Sequence, residues 1–300
     1  MNQKMKTWID AARLRTLPLS VSGILVGTGI ALRENLFNGK IFILALCTTL
    51  GLQILSNFAN DYGDGVKGTD NQDRVGPTRA LQSGIITHTE MKRAILLTAI
   101  LTFATALLLI FTAFNTQELI YVFLFMGLGV LAIFAAIKYT VGKSAYGYYG
   151  LGDLFVFLFF GLLSVVGSYF LYSKQLHFSA WILGSIIGLL STAVINLNNM
   201  RDLESDQKAG KHTLAVKLGE RRVKVYHCIL IMAPLLISIV YILIEATFKN
   251  LFLLLAFIPL SIHLRSVLKT HNLKVLDPEL KKVALSTFLF AVIYIVISLF

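Results

Sequence analysis

The chain has 300 residues, 56% hydrophobic and 14% charged, with a formal net charge of +11 and a mean hydropathy of +0.74. Soluble domains carry about 25% charged residues, so this balance excludes an ordinary soluble enzyme and describes an all-α polytopic membrane protein. The excess of Lys and Arg is spread over short connections between apolar runs, which argues against a nucleic-acid surface, and Cys47 and Cys228 lack the spacing of a disulfide framework or a zinc site.

Apolar runs of about 18–20 residues cross a hydrocarbon core of about 30 Å as helices. Nine are predicted, near 17–33, 41–60, 93–114, 119–138, 153–173, 180–198, 226–244, 250–265 and 283–300. The basic segment before the first has no small-residue cleavage site after its apolar run, so it reads as retained rather than as a signal peptide. A cytoplasmic N-terminus puts four basic residues there, five around 61–92 with Arg93, two at 139–152 with Lys138, seven at 199–224, and five at 266–282 with Arg265. That is 23 of the 27; only Arg33, Lys40, Lys174 and Lys249 fall opposite, which supports both the helix count and a cytoplasmic N-terminus.

Two long connections on the cytoplasmic side carry most of the chemistry. In the second, NLNNMRDLESDQKAGKHTLAVKLGERR at 196–222, Asn198, Asp202 and Asp206 stand at i, i+4 and i+8, one face of a helix. In the first, NDYGDGVKGTDNQDRVGPTRALQSG at 60–84, Asn60 and Asp64 repeat the step, but Gly68 takes the third place and Asp70 lies roughly 240° round a straight helix. Gly63, Gly65 and Gly68 are placed to end the helix and fold the chain back, bringing Asp70, or Asp73, onto the Asn60/Asp64 face. Asp61 lies one step off that face, where it either caps a turn or joins the ligands. The two series start 138 residues apart, each at the end of the second helix of a four-helix set. The chain therefore reads as one domain, 1–300, with repeats at about 17–138 and 153–265 and an extra helix at about 283–300.

Carboxylates clustered at helix ends in a low-dielectric setting need a cation. Oxygen ligands without His or Cys suit a hard ion, and Mg2+ bridges carboxylates to phosphate oxygens. Arg79, Arg201, Lys211 and the Lys138/Lys143 pair are placed to neutralise a diphosphate, although Arg201 beside Asp202 is also a plausible local ion pair. A deep apolar interior behind that mouth suggests that the phosphorylated ligand has a lipid tail. In the third stretch, KYTVGKSAYGYYGLGDLFVFLFFG at 138–161, Tyr139, Lys143 and Asp153 join the same face as substrate contacts, with a helix cap as the simpler role for Asp153. The six histidines, at 88, 177, 212, 227, 263 and 271, have no ligand spacing and read as surface or interfacial.

Nearly the whole chain resembles the UbiA superfamily of intramembrane aromatic prenyltransferases. The likeness runs through ARLRTLP at 12–18, ANDYGDGVKGTD, GPTRALQSG, KYTVG and GLGD, to NNMRDLESDQKAGKHTLAVKLG. The superfamily pattern N-x-x-x-D-x-x-x-D fits Asn198, Asp202 and Asp206; the longer spacing to Asp70 resembles the branch acting on 1,4-dihydroxy-2-naphthoate. The resemblance implies nine helices around a lipid-open cavity in a bacterial cytoplasmic membrane, with the site on the cytoplasmic face. It also implies transfer of a polyprenyl group from its diphosphate to the naphthoate ring, with loss of CO2, to give demethylmenaquinone. One Mg2+ would be held by Asn60, Asp64 and Asp70 and another by Asn198, Asp202 and Asp206. Lys143, Arg79 and Lys211 would grip the diphosphate, and Asp153 or Tyr139 would orient the acceptor or assist its deprotonation. The alternatives are another acceptor (4-hydroxybenzoate, haem or a chlorin), a divalent-cation transporter, and a non-catalytic quinone-binding protein.

Overall fold

The computed structural model describes residues 2–69, 76 and 78–300, with Arg15 by its backbone. Every regular element among them is helical. The short α1, Gln3–Ala12, is capped by the Asn2 side chain and ends at Arg13, whose φ of 52° turns the chain. Pro18 in the first turn of α2, Leu17–Arg33, suits a helix start, and α1 and α2 meet at a bend of 43°. Then come α3 (Gly39–Lys67), α4 (His88–Ala113) and α5 (Leu119–Lys138). Thr87 and Glu90 form a reciprocal capping box at the start of α4.

The second half comprises α6 (Gly152–Ser173), α7 (Phe178–Arg201), the short α8 (Leu203–Lys208), α9 (Leu214–Glu245, kinked where Gly219 takes a φ of 74°), α10 (Phe248–Lys269) and α11 (Leu273–Ile297). Eight of these helices are long and apolar enough to cross a membrane, and the bent α1–α2 pair makes a ninth if it counts as one span. The protein is therefore a multi-pass membrane protein, as expected. The expected glycine stop after the second run is displaced. Gly63 and Gly65 stay inside α3, and only Gly68, at φ 72°, ends it. An α-helix tolerates isolated glycines when its faces are packed; a positive φ it does not.

α7 is the central helix. Leu183, Ile186, Ile187 and Leu190 are fully buried, whereas Leu96 of α4 and Phe123 of α5 face outward. Small residues let the central helices touch. A methyl group added at Gly161 of α6 would fall 2.4 Å from the Gly188 Cα of α7, and one at Gly27 of α2 would fall 2.6 Å from the Val165 carbonyl. Between Phe157 and Gly167, α6 widens to π-helical bonding.

Two histidines overturn the surface reading. His227 of α9 and His263 of α10 are completely buried in the bundle. Each ring nitrogen finds a polar partner there, which is the condition under which a buried imidazole is tolerated.

Candidate active site

The mouth of the bundle is built by the ends of α3 and α7 and the connections that follow them. Asn60 and Asp64 lie one turn apart near the end of α3. α7 stops at Arg201, so the second acidic series does not sit on one uninterrupted helix. Its step survives the break, because the Asp202 amide donates to the Asn198 carbonyl (3.1 Å) and the Asp206 amide to the Asp202 carbonyl (2.8 Å).

Lys211 joins the two series. Its amide donates to the Asp206 carbonyl (2.8 Å), folding the chain back over the mouth, and its Nζ lies 3.5 Å from Asp64 Oδ2 and 3.9 Å from Asp206 Oδ1. The two acidic loops thus face each other across one ammonium group. Burial works against that charge, but the carboxylates of Asp64 and Asp206 outweigh it, so the Lys211 pKa is raised and the group stays ionised.

The third connection closes the ring. The Tyr148 hydroxyl donates to Asp64 Oδ1 (2.7 Å) and lies 2.6 Å from Thr69 Oγ1, while the Lys67 ammonium sits 3.7 Å from the Tyr148 ring centroid. The Thr140 hydroxyl donates to the Ala59 carbonyl (3.0 Å) and lies 3.3 Å from Asn60 Oδ1. Gly63 permits this approach, since a Cβ there would fall 2.5 Å from Thr140 Oγ1. Burial pushes the Tyr139 phenol up to about 12. It is therefore a hydroxyl donor at neutral pH rather than a phenolate base.

Two guanidinium groups hold the remaining acids. Arg201 donates to Asp202 through Nε (2.8 Å) and Nη2 (2.6 Å), to Asn198 Oδ1 (2.9 Å), and to Asp277 at the start of α11. The expected local ion pair is present, and it extends to another helix. Asp61 is turned off the Asn60/Asp64 face. It accepts from Arg13 Nη2 (2.6 Å) and the Ala80 amide (3.3 Å), with Arg79 Nη1 at 3.4 Å. It anchors α1 and the 78–87 segment.

Behind the mouth lies a cavity of about 500 Å³. Asn60, Asp64, Asn198 and Lys211 line its polar end, and its apolar walls reach Ala45 and Leu171. From Asp64 to Ala45 is 19 residues of α3, roughly 28 Å of helix. Arg79, Tyr139 and Arg201 also line it, whereas Asp202 and Asp206 are buried and are not part of the lining. Asp153 is buried off the wall with the Tyr226 hydroxyl as a polar neighbour, and neither of its oxygens makes a hydrogen bond of good geometry. Lys143 is exposed and is not part of the lining. Asp70 and Asp73 lie outside the described residues.

Sequence reasoning did not single out Tyr148, Asp277 or Arg13. The first stood among several tyrosines, the second in a stretch without a motif, and Arg13 far from either acidic series. Among the described residues no three acidic, His or Cys side chains converge as a preformed metal cage.

Comparison with known proteins completes the picture. A family model described as the UbiA prenyltransferase family matches residues 20–295. The chain is 48% identical over 236 residues to 1,4-dihydroxy-2-naphthoate octaprenyltransferase of Haemophilus influenzae, covering 77% of this chain and 75% of that one. It is 47% identical over 232 residues to the protein of the same name from Escherichia coli, with the same coverages. A solved structure of a UbiA homolog from Archaeoglobus fulgidus bound to GPP and Mg2+ aligns with a TM-score of 0.68 at 15% identity, over 98% of this chain and 99% of that one, a likeness of fold.

Proposed function

Because the chain belongs to the UbiA prenyltransferase family, we propose that it transfers a polyprenyl group from a polyprenyl diphosphate to 1,4-dihydroxy-2-naphthoate, releasing diphosphate and CO2 and giving the demethylmenaquinone skeleton. The relatives at 47–48% identity carry that activity in their names. The observation that carries the reading is the shape of the site. Two acidic loops and a buried lysine stand at the polar end of a deep cavity whose walls on α4, α5 and α6 are largely apolar, while α3 adds Thr48, Thr49, Gln53, Ser56 and Asn57. A diphosphate with a long hydrocarbon tail matches both ends.

The donor set supports a divalent cation. It offers only oxygen ligands, and the single ammonium of Lys211 faces two carboxylates, those of Asp64 and Asp206. Asn60, Asp64, Asn198, Asp202 and Asp206 are the residues that would hold Mg2+, with Asp70 the proposed further ligand from the first loop. Bound there, the ion would neutralise the diphosphate as it takes the electron pair of its ester bond. A carboxylate or two from each loop, completed by phosphate oxygens, is the ordinary way Mg2+ binds, so no preformed cage is needed.

Lys211 and Arg79 then supply fixed positive charge to the departing diphosphate. Breaking the allylic C–O bond leaves a carbocation in the cavity, where the faces of Phe155, Phe159 and Tyr139 stabilise it and the apolar wall keeps water away. The ring carbon attacks, a C–C bond forms, and the carboxyl group leaves as CO2. Tyr139, protonated, donates to the acceptor and orients it. In this reading the mouth faces the cytoplasm of a bacterial inner membrane, and α2–α5 and α6–α10 are diverged repeats followed by α11.

The test is product mass after detergent-purified protein is incubated with a polyprenyl diphosphate, 1,4-dihydroxy-2-naphthoate and Mg2+, beside EDTA and 4-hydroxybenzoate controls. Metal-dependent prenylnaphthoquinol, or the quinone that air makes of it, supports the reading. Product from 4-hydroxybenzoate alone would move the chain to another branch, and no product with either would overturn the proposal.

A further inference from the structure

A polar chain, buried except at its Lys282 end, crosses four helices without touching the cavity. Lys282 Nζ donates to Glu279 Oε1 (2.5 Å) on α11, and Glu279 Oε2 lies 2.7 Å from His263 Nδ1 on α10. His263 Nε2 lies 2.8 Å from His227 Nε2 on α9, and His227 Nδ1 lies 3.1 Å from the side-chain amide of Asn196 on α7. Both imidazoles and Asn196 are fully buried. Ionisable groups inside a bundle are costly enough that their retention asks for a role.

The donors and acceptors permit one consistent arrangement with neutral imidazoles. The Glu279 carboxylate, facing Lys282, accepts from His263 Nδ1, which leaves His263 Nε2 to accept from His227 Nε2. His227 Nδ1 is then an acceptor. Asn196 completes the chain when its Nδ2 rather than its Oδ1 faces the ring, an exchange that also gives the otherwise unpartnered buried Nδ2 its acceptor. Every bond then runs in one direction, from α7 to α11. The relay has no exit toward substrate, because Ile195 and Asn198 line the cavity and Asn196 does not.

We infer that the Asn196–His227–His263–Glu279 chain is a positioning relay that fixes the rotation of α7, and through it the placement of Asn198 and Asp202 at the mouth. The inference rests on the prenyl-transfer reading above. Two residues apart on a helix, Asn196 and Asn198 point about 200° apart, so holding one toward α9 aims the other at the cavity. A rotation of only about 10° would move a side-chain atom about 6 Å from the helix axis by about 1 Å. Displacements of that size cost on the order of 100-fold in rate. The Arg201–Asp277 ion pair is the second tie between α7 and α11, at the mouth itself.

The test compares wild type with His227→Leu, His263→Leu, His263→Gln and Asn196→Leu in the prenyl-transfer assay, with kcat and KM expressed per folded molecule by size-exclusion chromatography and melting. The Leu variants should lose roughly 10- to 100-fold in kcat, His263→Gln, which keeps a donor and an acceptor, should recover most of it, and His263→Leu with Asn196→Leu should be no worse than either alone. A folded His263→Leu or Asn196→Leu with kcat within twofold of wild type overturns the relay. If the histidine-to-leucine variants do not fold, Asn196→Leu decides by the same criterion, while a folded His263→Gln should stay close to wild type. Wild-type protein that makes no product defeats the prenyl-transfer reading instead, an outcome distinct from active wild type with indifferent variants.

Discussion

At the scale of single residues, each described acid of the two series has a basic or hydroxyl partner, so charge and position are set together. Asp64 accepts from Tyr148 and faces Lys211. Asp64→Ala should lower kcat by about 10²–10³-fold, the usual cost of removing an electrostatic contact at a reacting centre, with membrane insertion retained and only a moderate fall in melting temperature, since Lys211 keeps Asp206 as a partner. Activity assays beside detergent melting curves check this, and equal loss of folded protein would point to a structural role. Asp61 behaves differently. Asp61→Ala strands Arg13 and Arg79, and breaking a buried pair in this way costs about 3–5 kcal/mol, so the loss should appear first as a lowered melting temperature.

Lys211 gives a pH test. Its folded pKa is raised above the ordinary 10.5, so its stabilisation is fully present below that value and is lost only as pH rises through the folded pKa. The melting difference between wild type and Lys211→Gln should therefore stay flat between about pH 6 and 10. A difference that collapses across neutrality would mean that the ammonium is not held as described.

At the scale of elements, the apolar runs and the Asn–Asp spacing were legible because length and the i, i+4 step are local properties of a helix. The break after Arg201 was not, and Arg201 there reaches Asp277 of α11, a contact no local pattern records. The buried histidines were missed for the same reason: His227 and His263 lie 36 residues apart and become neighbours only when α9 and α10 pack. Asp153 and Lys143 were singled out from a motif, yet one is buried off the wall and the other exposed. The spacing of a loop does not say which of its side chains turn inward. Close helix crossing offers its own test. Gly161→Leu places side-chain atoms where the Gly188 backbone already stands, and overpacking costs about 1–3 kcal/mol or more. The variant should aggregate or lose its monodisperse peak on gel filtration.

At the scale of the whole molecule, the cavity reaches from the charged mouth toward the opposite end of the bundle, and under the proposed prenyl transfer its depth sets the length of hydrocarbon chain accepted. Ala45 lines that far part. Ala45→Phe should leave short prenyl diphosphates as good substrates and selectively impair long ones, as read by product masses from a mixed-length competition; uniform impairment would place the tail elsewhere.

The hold of Asp61 on Arg13 also bears on how the chain is made. The arginine emerges from the ribosome 48 residues ahead of the aspartate, an interval of roughly 2–10 s at about 5–20 residues per second. During that time Arg13 is without the carboxylate that holds it in the folded protein. The tie between the end of α1 and α3 is therefore a late one, made only once α3 itself exists.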